Sequence, residues 1–237
     1  MKTVKLSLCM AFAAICSLSS VKAQDKVEAS LGADVVSRYV WRGMDQLSGA
    51  SIQPTLGFSY KGLSLSAWGS ASIQDFNVKE FDVTLGYKIA GFGISLTDYF
   101  FNNVVLEPDD ISYGEGTRYG EWKANHLLEG ALSYSFKKIP LTLSAATMLA
   151  GNMDKVNGDQ HFSTYVNASY SFKVGDIALA PAIGASAFDS EYYGTKAFDV
   201  MDVSIKATKE IKGFPFYVQA IVSPAKDRTY LVAGMTF

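Results

Sequence analysis

The chain has 237 residues, of which 49 % are hydrophobic, 13 % aromatic and 19 % charged, and its formal net charge is −2. Its two cysteines, Cys9 and Cys16, lie in the first 23 residues, so the rest of the sequence excludes disulfides, thiolate metal sites and thiol nucleophiles. The net charge after residue 23 is −5, because three of the 21 basic residues and none of the 23 acidic residues precede residue 24. Nucleic acid is therefore not an expected partner.

The first residues are typical of a secretory signal peptide. Lys2 and Lys5 precede an apolar run over residues 6–18, and small side chains stand before a cleavage site after Ala23. The run is about 13 residues, shorter than the roughly 20 that a helix needs to cross a membrane. We therefore predict a cleaved signal peptide over residues 1–23 and a single domain over residues 24–237, exported in a Gram-negative bacterium.

Apolar residues alternate with small or polar ones over residues 27–237, which indicates strands almost throughout. The pattern is clearest over residues 79–89, where Phe81, Val83, Leu85, Tyr87 and Ile89 share one face. It predicts an all-β fold with strands at 27–41, 50–60, 63–72, 78–89, 92–101, 122–136, 140–149, 160–173, 177–188, 196–210, 214–223 and 228–237.

The connections between these strands alternate in length. Tight turns are predicted at 61–62, 90–91, 137–139, 174–176 and 211–213, and the other connections are longer. Short turns on one side, longer loops on the other and an even strand count are typical of outer-membrane barrels. We therefore predict a transmembrane antiparallel up-and-down β-barrel of about twelve strands in the cell outer membrane, with the tight turns in the periplasm. Outer-membrane lipids and lipopolysaccharide are its expected surroundings.

Aromatic residues are expected where barrel strands meet the two membrane interfaces. At the predicted periplasmic ends these are Tyr60, Tyr87, Phe92, Tyr134, Phe136, Tyr170, Phe172, Phe214, Phe216 and Phe237, and at the outer ends Tyr39, Trp41, Phe81, Phe100, Trp122, Phe162, Phe188 and Phe198. The final strand ends in Phe237 and resembles the C-terminal signal that the outer-membrane assembly machinery recognises. A soluble β-sandwich would share the alternation but would explain neither that ending nor the aromatic girdles.

Two segments depart from the simple pattern. Strict alternation points Asp98 at lipid, where a carboxylate is costly, so we predict a β-bulge near Thr97. The longest loop, 102–121, is acidic and predicted to be solvated, with Ca²⁺ binding by its oxygen ligands as the alternative.

Residues 37–43 have the order Ser-x-Tyr-Val-x-Arg-Gly, and residues 52–56 and 66–70 follow. Together these segments resemble the TorF-like porin family of outer-membrane β-barrel proteins, formerly grouped as conserved hypothetical proteins. Residues 87–91 and 96–99 resemble the family's next hairpin, so the resemblance covers about half of the exported domain. It implies a porin-like role with no established substrate.

Alternation also predicts which charged side chains face the lumen. The candidate pore-lining residues are Asp34, Arg38, Arg42, Asp82, Glu129, Asp202 and Lys206. Rings of such side chains near mid-height control ion passage in channels, and Arg38 is expected to shape the constriction. The same charges could instead pair and brace a narrow barrel, because buried charges need partners. The sequence predicts no metal site and no cofactor.

Three functions follow from this interpretation. The first is a channel for passive passage of ions or small polar solutes, and the second is a non-conducting structural or surface-binding barrel. The third is an outer-membrane lipid hydrolase, because His161 and Ser163 would present a base and a nucleophile on one strand face. No acidic orienter follows at a recognisable spacing, so we predict that the protein is not an enzyme.

Overall fold

A computed structural model describes residues 26–46, 49–74, 78–101, 104–107, 110–113 and 125–237. The predicted signal peptide, Trp122 and much of the acidic 102–121 loop lie outside these residues. In that loop the structure describes a short hairpin of Val104–Glu107 with Asp110–Tyr113.

Twelve antiparallel strands close into one barrel. They are β1 Glu28–Val36, β2 Ser51–Tyr60, β3 Leu63–Ser72, β4 Val78–Ile89, β5 Phe92–Phe101, β6 His126–Ser135, β7 Leu141–Gly151, β8 Thr164–Tyr170 with Phe172–Val174, β9 Ile177–Ser186, β10 Asp199–Ile211, β11 Phe214–Ser223 and β12 Arg228–Thr236. Each strand pairs with the next along the chain, and β12 pairs with β1. The predicted all-β, twelve-strand, up-and-down barrel is confirmed.

Tight turns join the strands at one end of the barrel, as predicted. At Lys61-Gly62, Ala90-Gly91 and Lys212-Gly213 the residues in both positions have positive φ, between 48° and 95°. Two-residue turns of this handedness match the right-handed twist of the strands that they connect, and glycine in the second position accepts the left-handed backbone without steric cost. We call this end the turn end and the opposite end the loop end.

The barrel exterior is apolar over its whole circumference. The outward-facing side chains of Leu31 and Leu231 are 69 % and 71 % exposed. Many other large apolar side chains on the described strands are also exposed. Near the turn end aromatic rings meet in pairs: Phe92 with Tyr134 at 4.5 Å and Phe214 with Phe237 at 5.7 Å between ring centroids. A surface of this kind is suited to lipid rather than to water.

The predicted bulge at Thr97 is wrong. The pairing of β5 with both neighbours runs through Thr97 and Asp98 without a shift, and bulges lie instead at Ser70/Ala71, Leu128/Glu129 and Gly184/Ala185. Asp98 keeps its outward position because His126 Nδ1 lies 2.8 Å from its carboxylate on the neighbouring strand. A cross-strand partner thus replaces the expected backbone irregularity.

Several strands are shorter at the loop end than predicted. β1 ends at Val36 rather than residue 41, β8 begins at Thr164 rather than residue 160, and β10 begins at Asp199 rather than residue 196. The chain released in this way turns into the barrel, so Tyr39 and Trp41 do not join the outer aromatic girdle. The described residues also contain two short 3-10 helices, Asn152–Asp154 and Pro224–Lys226. None of their helices is long and apolar enough to cross a membrane.

Candidate functional site

The lumen differs between its two ends. Towards the turn end the inward side chains are small and accessible, as at Ser64, Ser66, Ser95, Ser133 and Ser144. Towards the loop end they are larger and buried, as at Asp82, Tyr99, Leu127, Glu129 and Met148. We call the turn-end part of the lumen, which is lined by small and partly exposed side chains, the vestibule, and the packed loop-end part the constriction.

A hairpin after β1 creates much of this constriction. Its strands, Val40–Trp41 and Met44–Asp45, are joined through Arg42 and Gly43, which both have positive φ (50° and 74°). We call residues 40–45 the inner hairpin. A Cβ on Gly43 would overlap the carbonyl oxygen of Met201 on β10, so the hairpin packs directly on the barrel wall. Glycine is required there for space as well as for conformation.

Arg42 fixes the tip of the inner hairpin to β6. Its Nη1 and Nη2 donate to the two carboxylate oxygens of Glu129 at 2.6 and 2.9 Å. Nη1 also donates to the hydroxyl of Tyr193, and Tyr99 donates to Glu129 Oε1 at 3.0 Å. Parallel bonds of this kind combine charge attraction with a fixed geometry. β6 lies nearly opposite β1 in a twelve-strand ring, so the pair spans the lumen.

Aromatic rings surround the Arg42 guanidinium. Its Cζ lies 4.1 Å from the ring centroid of Trp41, 4.5 Å from that of Tyr165 and 6.0 Å from that of Tyr193. Burial alone would lower the pKa of Arg42, but the Glu129 carboxylate outweighs it and the pKa lies above its usual value. Arg42 therefore stays charged inside the packed constriction, where cation–π contacts stabilise it further.

A second loop, residues 187–198, enters the lumen from between β9 and β10. Tyr193 is fully buried in a cluster with Tyr99, Leu127, Met148, Tyr165 and Met201. Lys226 donates to the carbonyl oxygen of Tyr193 at 2.6 Å, which ties the loop to the connection between β11 and β12. The constriction is thus built from two inward loops and the strands beneath them.

Ser163, the candidate nucleophile, has a different set of partners from those that catalysis requires. Its hydroxyl donates to Asp154 Oδ1 at 2.5 Å and accepts from Ser190 at 2.7 Å and from the backbone N–H of Tyr192 at 3.2 Å. These bonds join the 152–163 and 187–198 loops. Within the described part of the chain no hydrogen bond links Ser163 to His161, whose Nε2 lies 3.7 Å from Asp189.

The predicted pore-lining residues are distributed over several environments. Asp82, Glu129 and Asp202 are buried, and Tyr165 donates to Asp202 at 2.6 Å. Asp34 and Lys206 are half-buried: Thr236 donates to Asp34 at 2.6 Å, and Lys206 Nζ lies 3.7 Å from the Tyr217 ring centroid.

The structure separates the two predicted arginines. The side chain of Arg42 is 11 % exposed in the constriction, whereas that of Arg38 is 49 % exposed and pairs with Asp45 at 2.7 Å. Arg38 therefore lies beside the base of the inner hairpin and is not paired with Asp34. Its role in lining a pore stays a prediction.

Sequence reasoning missed the aromatic part of the site. Trp41, Tyr99, Tyr165 and Tyr193 contact Arg42 or its partner, yet none was predicted to do so. The Arg42-Gly43 pair carried a signal, because a glycine in the second position favours a tight hairpin turn directly after the predicted strand 27–41. In the described ranges no group of three or more His, Cys, Asp or Glu side chains could hold a metal ion.

No family model matches the sequence, and no curated protein matches it. Among solved structures, the KdgM porin is similar over 89 % of this chain and 98 % of its own, with a TM-score of 0.48 and 9 % identity. The NanC porin is similar over 87 % of this chain and 98 % of its own, with a TM-score of 0.44 and 13 % identity. OmpF of Salmonella typhi, in a complex with daunomycin, is similar over 88 % of this chain and 97 % of its own, with a TM-score of 0.36 and 12 % identity.

Proposed function

We propose that the protein is an outer-membrane channel for ions or small polar solutes, with passage controlled at the inner hairpin. The apolar exterior supports the membrane location, since outward-facing leucines such as Leu31 and Leu231 would be costly in water. The observation that carries the channel is the vestibule of small accessible side chains, including Ser64, Ser95 and Ser133, on the lumen side. The porin-like role that the TorF-like resemblance implies agrees with this proposal.

Barrel size supports an open vestibule. Eight strands give an interior that side chains just fill, and diameter grows with strand number. Twelve strands lined by serine and glycine near the turn end leave space that these side chains do not occupy. The permeation path is therefore limited by the constriction, where Arg42 and Tyr193 occupy the lumen.

The inner hairpin is suited to act as a gate. In the described part of the chain its two strands pair only with each other, and it contacts the wall through Arg42 with Glu129, through Gly43 with Met201 and through Trp41 with Tyr99. Displacing those contacts would remove the inner hairpin from the constriction without breaking any pairing between barrel strands.

The second candidate, a non-conducting structural or surface-binding barrel, is favoured by the tight packing of that same constriction. Tyr193, Leu127, Met148 and Met201 are all fully buried there. If the hairpin never moves, these residues brace the barrel and the outer loops provide its contact surface.

Planar-bilayer conductance of the purified barrel distinguishes the two. We expect low or flickering conductance in the wild type and a larger, steadier conductance when residues 40–45 are replaced by a short Gly-Ser linker. Replacement of the exposed tip 156–159 by Gly-Ser is the matched control and should leave the wild-type trace unchanged. A folded barrel that conducts nothing with or without the inner hairpin would reject the channel and favour the bracing function.

A further inference from the structure

Two buried carboxyl groups face the lumen from β4 with no basic partner among the described residues. Glu80 is 4 % exposed and Asp82 is 2 % exposed. The hydroxyl of Tyr39 donates to Glu80, but Asp82 Oδ1 has no hydrogen-bond partner at all. Leaving a buried carboxylate oxygen unsatisfied is costly, so this position calls for a partner that a protein side chain does not supply.

Aromatic side chains enclose the same two groups. In the strand register Asp82 lies directly between Trp68 of β3 and Tyr99 of β5. Tyr39 packs on Trp68 with 5.4 Å between ring centroids. The rings restrict water, and their faces favour positive charge, so the surroundings of both carboxyl groups suit a cation better than an anion.

The charge balance of the constriction points the same way. The buried carboxyl groups there are Glu80, Asp82, Glu129, Asp154 and Asp202. No lysine or arginine in the described ranges is buried to the same degree, and Arg42 is paired with Glu129. Asp154 and Asp202 accept hydrogen bonds from Ser163 and Tyr165. Of these five carboxyl groups, only that of Asp82 keeps a buried oxygen with no hydrogen-bond partner, and neither Glu80 nor Asp82 is paired with a lysine or arginine in the described ranges.

We propose that Glu80 and Asp82 form a weak binding site for a hard inorganic cation, with Tyr39, Trp68 and Tyr99 as its walls. Carboxylate oxygens are the ligands that such cations prefer. Two carboxylates hold an ion more loosely than a full coordination shell would, as a permeation site requires, because an ion must leave as well as enter. The inference deepens the proposed function, on which it rests for the ion's route, by assigning the solute class.

Terbium luminescence tests the site directly, since Tb³⁺ binds oxygen ligands and emits when a neighbouring tryptophan or tyrosine is excited. The barrel is folded into detergent micelles with Tb³⁺ present, so that access through the constriction does not limit binding. We expect saturable emission that Ca²⁺ competes away, and at least a tenfold loss of that emission in Glu80→Gln/Asp82→Asn.

Glu28→Gln/Asp159→Asn is the matched control, because it removes two carboxylates from exposed positions. It should keep the wild-type signal.

If the Glu80 and Asp82 variant does not fold, Trp68→Leu replaces it. The emission should then fall, while the Ca²⁺ concentration at the competition midpoint stays the same. Equal emission from all variants, or no saturable emission from folded wild type, would overturn the cation site. If the barrel binds terbium but does not conduct, the channel is rejected and the cation site is retained.

Discussion

Arg42 and Glu129 are 87 positions apart in the sequence, yet they form a two-point ion pair across the lumen. Arg42 comes from the connection after β1, just beyond the predicted strand 27–41, and Glu129 comes from β6 in the barrel wall. The pair therefore holds the inner hairpin in place at the loop end of the barrel.

Arg42→Met should destabilise the folded barrel by about 3–5 kcal/mol, because removing one partner leaves the buried Glu129 carboxylate without its counter-charge. Urea unfolding in lipid vesicles, followed by tryptophan fluorescence, measures this loss. Arg38→Met is the control, since its pair with Asp45 is half-exposed and such pairs contribute about 0–1 kcal/mol. Equal losses in the two variants would contradict a structural role for the buried pair.

Gly43→Ala should dislodge the inner hairpin. The backbone there has a φ of 74°, and the new methyl group would overlap the carbonyl oxygen of Met201. Gly158→Ala is matched in backbone strain, at a φ of 92°, but its methyl group would meet nothing within 4 Å. We expect increased protease cleavage near residues 40–45 and a larger stability loss for Gly43→Ala alone. Equal cleavage and equal stability loss in the two variants would mean that backbone strain, and not contact with β10, explains the need for glycine at position 43.

Ser163→Ala should loosen the two loops that Ser163 joins without removing any hydrolytic activity. It deletes the bonds to Asp154 and Ser190, and leaving a buried donor or acceptor unpaired costs about 1–3 kcal/mol. Limited proteolysis of the 152–163 and 187–198 segments reports the loosening, with the exposed Ser171→Ala as control. Loss of lipid hydrolysis with normal proteolysis would instead favour an enzyme.

The barrel was largely predictable because its signals are local. Alternation, glycine-containing turns and strand length all act within ten or so residues, and they fixed twelve strands with small errors at their ends. The Thr97 bulge was mispredicted for a non-local reason. His126 on the neighbouring strand pairs with Asp98, and the alternating pattern within β5 does not indicate this partner.

The constriction could not be predicted in the same way. Whether residues 37–45 extend β1 or fold inward depends on Glu129, Tyr165 and Met201, which contact the hairpin from distant parts of the sequence. The alternating pattern of β1 simply continues past its end at Val36. Asp82 and Glu129 were predicted to line a pore, and their burial follows only from the loops that cover them.

Deleting Phe237 should impair assembly more than transport. Its backbone N–H donates to Ala33 at 2.9 Å, so it extends the seam that closes β12 on β1, and its ring packs on Phe214. We expect a lower amount of heat-modifiable folded protein in the outer membrane, with normal conductance per folded barrel. Phe214→Ala, which removes the ring contact and keeps the seam, is the control. Normal folded abundance after the deletion would count against an assembly signal at Phe237.

Arg38→Ala should raise both conductance and cation preference if the barrel conducts. The charge of Arg42 is neutralised by Glu129, whereas Arg38 is half-exposed beside the inner hairpin, where passing ions can sense it. Its removal takes away a fixed positive charge, and a narrow pore responds strongly to each fixed charge. Reversal potentials in a KCl gradient measure the preference.

Arg38→Lys is the matched control for that measurement, since it keeps the positive charge and should retain the wild-type reversal potential. A shift of the same size in Arg38→Lys would assign the effect to the lost geometry of the bond with Asp45 rather than to charge. If wild type and Arg38→Ala both fold and neither conducts, the channel fails and Arg38 becomes a brace for the hairpin. Its removal should then cost no more than about 1 kcal/mol, because a half-exposed pair contributes little to folding.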